Sequence, residues 1–458
     1  SSIAIDVPRV MAILPAGGSV LPEGFVDRLG AAMQSLLGGS LPFAVANEQK
    51  LGTATKLPSW LAEEESKGGF LLVDASGSAE WSGLACRNVD SLIMVGRLDE
   101  TKHHPNEAEI GAMQWIEDDS RCFVSVRDHR TDEIAGTVPW LAHRNVKLHH
   151  HVALDDDADF AKLARFFTGR AVGLVLAGGG ALGCAHLGIM EGLQKAHIPI
   201  DFIGGTSAGA AMGGAIARGR TVPQTLDEME AMFIDAKAMR RITLPIYSLL
   251  DPLVFDHELK TRYGTKDIAD QPVNFFGIST NLSTNDLHVH RRGPLWEAVR
   301  ASGSLPTILP PFIDADQNIL VDGGVLDNVP VRVMQQLKAG PNIVVMLGDP
   351  NKEWRKDVQY DQVRGRGQLL KDLILRRKPD PAHDFPNILS VLERSMVVTS
   401  RMASKEMLSD DDILLTPPMI DGMAILDWQK GRALSDLASE YIIQQVAENE
   451  ALAKIITK

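Results

Sequence analysis

Ser207 lies at the centre of Gly205-Thr206-Ser207-Ala208-Gly209, a Gly-x-Ser-x-Gly pentapeptide that directly follows the apolar pair Phe202-Ile203. Small residues on both sides let a serine occupy a strained strand-to-helix turn, its hydroxyl exposed over the N-terminus of the next helix. The dipole of that helix lowers the cost of negative charge developing nearby. Alone, the pentapeptide says little, because Gly, Ser and Ala are common and a tight packing turn gives the same pattern. A second Gly-rich turn precedes it: Gly178-Gly179-Gly180-Ala181-Leu182-Gly183 follows the apolar run Val172 to Leu176. Consecutive glycines leave backbone N–H groups unobstructed, as an oxyanion hole requires, and losing one such donor typically costs about 10²–10³ in rate.

The same turn also fits Gly-x-Gly-x-x-Gly, a dinucleotide fingerprint that wants an acidic residue about 20 positions on, at the end of the next strand. Asp201 has that separation but precedes its strand, the wrong end to meet a ribose. A nucleophilic serine needs a base. Asp322 closes the short apolar run Ile319 to Val321, and Gly323-Gly324 behind it admit a close neighbour. A carboxylate touching the serine hydroxyl accepts its proton if burial raises its pKa. An ordinary Asp-Gly-Gly turn gives the same residues. His383 offers a rival Ser–Asp–His order. It lies in the Pro-rich stretch KPDPAHDFP, where no strand end positions it, so a Ser207–Asp322 dyad is preferred.

The elements that must carry these residues are legible. Val172 to Leu176, Phe202-Ile203 and Ile319 to Val321 read as strands, and the small residues Ala210 to Ala217 suit a helix packed tightly on a sheet. Upstream, Val10 to Leu14, Phe43 to Ala46, Phe70 to Val73, Leu92 to Val95, Phe123 to Val126 and Val146 to Val152 alternate with amphipathic stretches. That alternation predicts a small doubly wound α/β domain over residues 1–165, structural or regulatory in role. Asp155-Asp156-Asp157 caps a helix leading into the key strand. Residues 170–350 would form the catalytic unit, and residues 351–458 a mostly helical part packed on it. His149-His150-His151 alternate across a strand, so they cannot all face one metal; they and His103-His104 read as ordinary core or surface histidines. Lys237 to Phe255 joins basic residues to Ile242, Leu244, Ile246, Tyr247, Leu249, Leu250, Leu253 and Val254, with Pro245 and Pro252 breaking any long helix. A buried loop and an apolar rim touching lipid both fit it.

Composition narrows the classes. The chain has 458 residues, 45% of them hydrophobic and 23% charged, values of a folded globular chain with more than one domain. A formal net charge of −13 argues against a nucleic-acid partner, although basic clusters occur at Arg240-Arg241 and between Arg364 and Lys378. Cys86, Cys122 and Cys184 are far apart and odd in number, which favours a reducing, cytoplasmic location over a disulfide framework. No signal-like leader and no apolar run of about 18 residues is present, so membrane contact would be peripheral. The chain opens at Ser1-Ser2 without Met, as a piece of a longer protein would.

Three elements thus stand in one order: GGGALG, GTSAG and DGG. Together they resemble the patatin-like phospholipase family. ASGSLPTILPPF, Ala301 to Phe312, is similar to a further block of that family. PSWLAEEE, KLARFFTG with Arg165, and LPIYSLLDPLVFD resemble stretches flanking the catalytic core of the neuropathy target esterase type of lysophospholipase. The resemblance implies an α/β/α sandwich, with Ser207 as nucleophile, Asp322 as proton acceptor and Gly179 and Gly180 as oxyanion donors. It implies hydrolysis of acyl esters in lysophospholipids or phospholipids through an acyl-serine, with no metal or cofactor required. The family often carries Arg or Lys where this chain has Leu182, and members of this type often carry cyclic-nucleotide-binding domains upstream. A dinucleotide-binding regulatory module and a catalytically silent lipid-binding scaffold are the alternatives.

Overall fold

The computed structural model describes residues 7–348, 353–375 and 385–456. The six upstream apolar runs form β1 (Val10–Pro15), β2 (Phe43–Ala46), β3 (Phe70–Asp74), β4 (Ser91–Arg97), β5 (Arg121–Arg127) and β6 (Leu148–Ala153). They make one parallel sheet in the order β2-β3-β1-β4-β5-β6. Strands buried on both faces read as continuous apolar runs. In β1, Met11 and Ile13 pack with Phe25, Leu29 and Phe160, whereas Ala12 and Leu14 pack with Leu57, Trp81 and Ala85 on the other face. The expected doubly wound unit is present.

The chain then crosses the helix Asp157–Phe167, capped by the Asp156 side chain, into a second sheet. Its strands are β7 (Gly173–Leu176), β8 (Phe202–Thr206), β9 (Asn274–Asn281), β10 (Asp286–His290), β11 (Phe312–Ile313), β12 (Ile319–Asp322), β13 (Asn342–Val345) and β14 (Ile413–Leu415). β14, β13, β7, β8 and β9 are mutually parallel, whereas β10, β11 and β12 join by antiparallel pairings. The late part of the chain therefore adds a strand to this sheet as well as helices. Its helix Gly431–Glu448 packs along the helix Cys184–Lys195 so closely that a Cβ on Gly188 would meet the Ser435 carbonyl oxygen at 1.9 Å.

The histidines of β6 seat the first sheet against the second unit. His149 and His151 share a face, and the Nε2 atoms of both bond the Ala269 carbonyl, at 2.9 and 2.7 Å. His150 points the other way, its Nδ1 3.3 Å from Asn274 Oδ1. Burial keeps all three neutral by lowering their pKa values. Among the described residues, no group of three or more His, Cys, Asp or Glu could hold a metal ion.

Candidate active site

Strand register brings Ser207 and Asp322 together. β8 runs parallel to β9 and ends with Thr206 opposite Ile278. β12 runs antiparallel to β9 and ends with Asp322 opposite Ser279. β10 occupies the other edge of β9 over Gly277 to Asn281, so β8 and β12 share one edge and run toward each other. They stop at neighbouring residues of β9, and the chain leaves β8 at Ser207 where β12 delivers Asp322.

Ser207 takes φ 52° and ψ −118°, a left-handed conformation that a serine rarely adopts, and caps the helix Ala208–Ala217. The turn closes only around small residues: a Cβ on Gly209 would lie 2.2 Å from the Leu176 carbonyl oxygen. The Ser207 N–H donates to Ser302 Oγ at 2.8 Å, and Ser302 Oγ donates to the Ile278 carbonyl at 2.6 Å. The Asp322 N–H donates to the Ser304 carbonyl at 2.9 Å. Two buried serines at the end of the helix Leu295–Ser302 thus hold the backbones of both candidate residues.

Asp322 is fully buried. Its Oδ1 accepts the Gly324 N–H at 2.8 Å, and its Oδ2 is buried without a hydrogen bond of ordinary geometry. Burial pushes the carboxyl up to about 6, with the adjacent Ser207 hydroxyl and the Gly324 N–H pulling in the opposite direction. A carboxylate held near neutrality beside a hydroxyl can take up and return a proton.

The Gly turn lies against this pair. The Gly178 N–H donates to the Asn328 carbonyl at 3.2 Å. The N–H groups of Gly179 and Gly180 have no acceptor among the described residues. Gly180 sits at φ +57°, and a Cβ there would come within 2.3 Å of the Ile425 carbonyl oxygen. That carbonyl accepts the Ala181 N–H at 2.7 Å, so the late part of the chain covers the outer side of the turn where a pyrophosphate would have to lie. Asp201 is committed elsewhere, at the far end of the sheet: it takes both Arg165 Nε and Nη2, at 2.9 and 2.7 Å, and the Val172 N–H at 2.9 Å. The dinucleotide reading thereby loses its acidic residue and its phosphate space. Gly183 backs onto Ala208, and Gly323 onto the Ile278 carbonyl; both lie within this same cluster.

A cavity opens from Ser207 and the Gly turn, lined by apolar side chains that include Leu182, Met232, Phe255, Val299 and Ile425. Leu182 is buried and keeps this wall apolar. Phe233 and Trp428 stack on its flank with ring centroids 3.6 Å apart. Sequence reasoning missed Ser302, Ser304 and Ile425 as parts of the site. The block Ala301 to Phe312 carried a signal for the first two; nothing near Ile425 carried one. His383 lies outside the described residues.

A serine on a left-handed turn, a buried aspartate and two open N–H groups thus meet on one mixed α/β sheet. Residues 174–334, which hold Ser207, Asp322 and the Gly turn, match the family described as patatin-like phospholipase. The chain is similar to patatin-like phospholipase domain-containing protein 7 of Mus musculus, 30% identical over 378 residues that cover 74% of this chain and 28% of that protein. It is also similar to patatin-like phospholipase domain-containing protein 6 of Homo sapiens, 26% identical over 478 residues that cover 94% of this chain and 34% of that protein. Lysophospholipase NTE1 of Mycosarcoma maydis is 29% identical over 408 residues, covering 74% of this chain and 22% of that protein. The chain spans about a third or less of the length of these relatives.

Proposed function

We infer that the chain is a serine esterase acting on the acyl esters of lysophospholipids or phospholipids. The observation that carries this reading is the buried Asp322 carboxyl, raised to about 6, beside the hydroxyl of a serine on a left-handed turn. Ser207 Oγ attacks the ester carbonyl and passes its proton to Asp322. Negative charge on the carbonyl oxygen is met by the N–H groups of Gly179 and Gly180. Collapse breaks the bond to the glycerol oxygen, which takes the proton back from Asp322, leaving acyl-Ser207. Asp322 then removes a proton from water, whose oxygen attacks the acyl carbon; the bond to Ser207 Oγ breaks, Oγ takes that proton back from Asp322, and the fatty acid leaves. The chemistry calls for no cofactor.

The apolar cavity suits an acyl chain better than a polar group, which supports a lipid ester. No helix among the described residues is long and apolar enough to cross a membrane, and the reading is of a cytoplasmic chain meeting its substrate at a membrane surface. The test is labelling with a fluorophosphonate probe. Wild type takes up the probe on Ser207 and Ser207→Ala takes up none; labelling that persists in Ser207→Ala at the wild-type rate would sink the assignment.

A further inference from the structure

The segment after the helix Val222–Glu230 leaves the protein as a small hairpin. Ile242 bridges Leu250 in antiparallel register, the Thr243 N–H donates to the Leu249 carbonyl at 3.1 Å, and the Asp251 N–H donates to the Arg241 carbonyl at 2.7 Å. Its returning arm is clamped to the body, with the Leu249 N–H on the Thr307 carbonyl at 2.8 Å and the Leu250 N–H on the Ile308 carbonyl at 3.0 Å. The tip turns at Pro245, where the Ile246 N–H reaches back to the Leu244 carbonyl at 2.8 Å. A hairpin braced this way holds its side chains in fixed directions: Ser248 and Leu250 of the returning arm are buried, and those of the tip point outward. Ile242, Leu244, Ile246, Tyr247 and Leu253 are all exposed, from 70% for Leu253 to 85% for Ile242.

Apolar side chains presented together at a braced tip mark an interaction surface. Charge says which kind. Lys237, Arg240 and Arg241 are exposed beside the tip and form no ion pair among the described residues, on a chain whose net charge is −13. Position says what for. Met239 and Phe255, just before and after the hairpin, line the cavity that opens on Ser207.

Resting on the lipid-ester reading above, we propose that this hairpin is an interfacial anchor. Leu244, Ile246 and Tyr247 enter the outer part of an anionic lipid leaflet, and Lys237, Arg240 and Arg241 meet its headgroups. The cavity mouth then faces the membrane, so a lipid tail passes from leaflet to Ser207 without crossing water. Each basic residue near an anionic surface contributes about fivefold in partitioning, and buried apolar side chains add to it.

The experiment is flotation of the full chain with vesicles of phosphatidylcholine, alone or mixed with phosphatidylserine. Alongside it, turnover is measured on lysophospholipid presented in those vesicles and on soluble p-nitrophenyl butyrate. Wild type floats better with the anionic vesicles. Ile246→Asp/Tyr247→Asp cuts flotation and vesicle turnover by about tenfold or more, and Arg240→Glu/Arg241→Glu removes the preference for phosphatidylserine. Both variants keep wild-type turnover of the soluble ester, since none of these side chains lines the cavity. Flotation unchanged in the tip variant would overturn the proposal, as would loss of a dimer in sedimentation velocity with flotation intact, because the face would then belong to a second copy. Vesicle binding without turnover of either ester would instead retire the esterase reading and leave the anchor standing.

Discussion

The two sheets of this protein each end a central strand in a Gly-rich turn, and only one of the turns is open. After β1, the Gly17 N–H donates to Glu109 Oε2 at 2.8 Å and the Gly18 N–H to the Lys102 carbonyl at 2.8 Å. Asn106 Nδ2 donates to the Pro15 and Gly17 carbonyls at 3.0 and 3.1 Å. Glu109 is itself locked to Arg144 at 2.7 Å, both side chains wholly buried. After β7, the Gly179 and Gly180 N–H groups have no such acceptor among the described residues and lie beside Ser207 and an apolar cavity. Similar architecture therefore yields a turn saturated by its own chain in one unit and a turn with free donors in the other. Function follows the free donors and the groups opposite them, not the sheet that carries them.

Glycine substitution in the two turns separates these roles. Gly180→Ala forces a methyl against the Ile425 carbonyl at a left-handed position and displaces the donor pair. The expected loss is about 10²–10³ in kcat on a soluble ester, read by steady-state kinetics. Gly17→Ala meets the Lys102 carbonyl at 2.2 Å, also at positive φ, and is expected to lower stability by about 1–3 kcal/mol in urea unfolding. Its kcat at a temperature where it remains folded should match wild type. If Gly17→Ala lost turnover as Gly180→Ala does, the contrast between the turns would collapse.

A smaller effect comes from the histidines that join the two units. Burial lowers the pKa of His150 to about 3 and of His151 to about 4, and holds His149 well below its ordinary value. The unfolded chain protonates these rings near the ordinary histidine pKa of about 6.5, while the folded chain resists. Their contribution is therefore fully present above about pH 6.5 and is lost as pH falls from there toward the folded values. Urea midpoints measured between neutral and mildly acidic pH should fall, and His151→Gln should reduce the slope. A midpoint that rose on acidification would contradict the burial described here.

Much of this was legible in the residue pattern, for a physical reason. Parallel strands buried on both faces give unbroken apolar runs, so β1 to β6 and β7 are visible without any partner. Ser207 and the Gly turn are visible because a tight turn admits only small residues. Asp201 was readable as misplaced because it precedes its strand, and it is the partner of Arg165. Other parts depend on residues distant in sequence. The Ile425 cover over Gly180 and the β14 strand come from the late part of the chain, and no local spacing announces either. Whether Ile242 to Leu253 faces inward or outward is equally open in the sequence, since apolar composition alone fits both; in the fold Ile242, Leu244, Ile246, Tyr247 and Leu253 are exposed and Leu250 is buried. Ser302 bonds the backbone of Ser207 through its hydroxyl, a contact that residue type alone does not reveal.

If Asp322 is the base for Ser207, the pH–rate profile on a soluble ester carries its titration. Wild-type kcat/KM should fall tenfold per pH unit below about 6, the value to which burial raises Asp322, with a single ionisation and a plateau above it. Asp322→Asn, circular dichroism unchanged, should lose about 10²–10⁴ in rate and the acidic limb together. An acidic limb that survived in Asp322→Asn at its wild-type position would contradict the account, because another group would then be taking the serine proton.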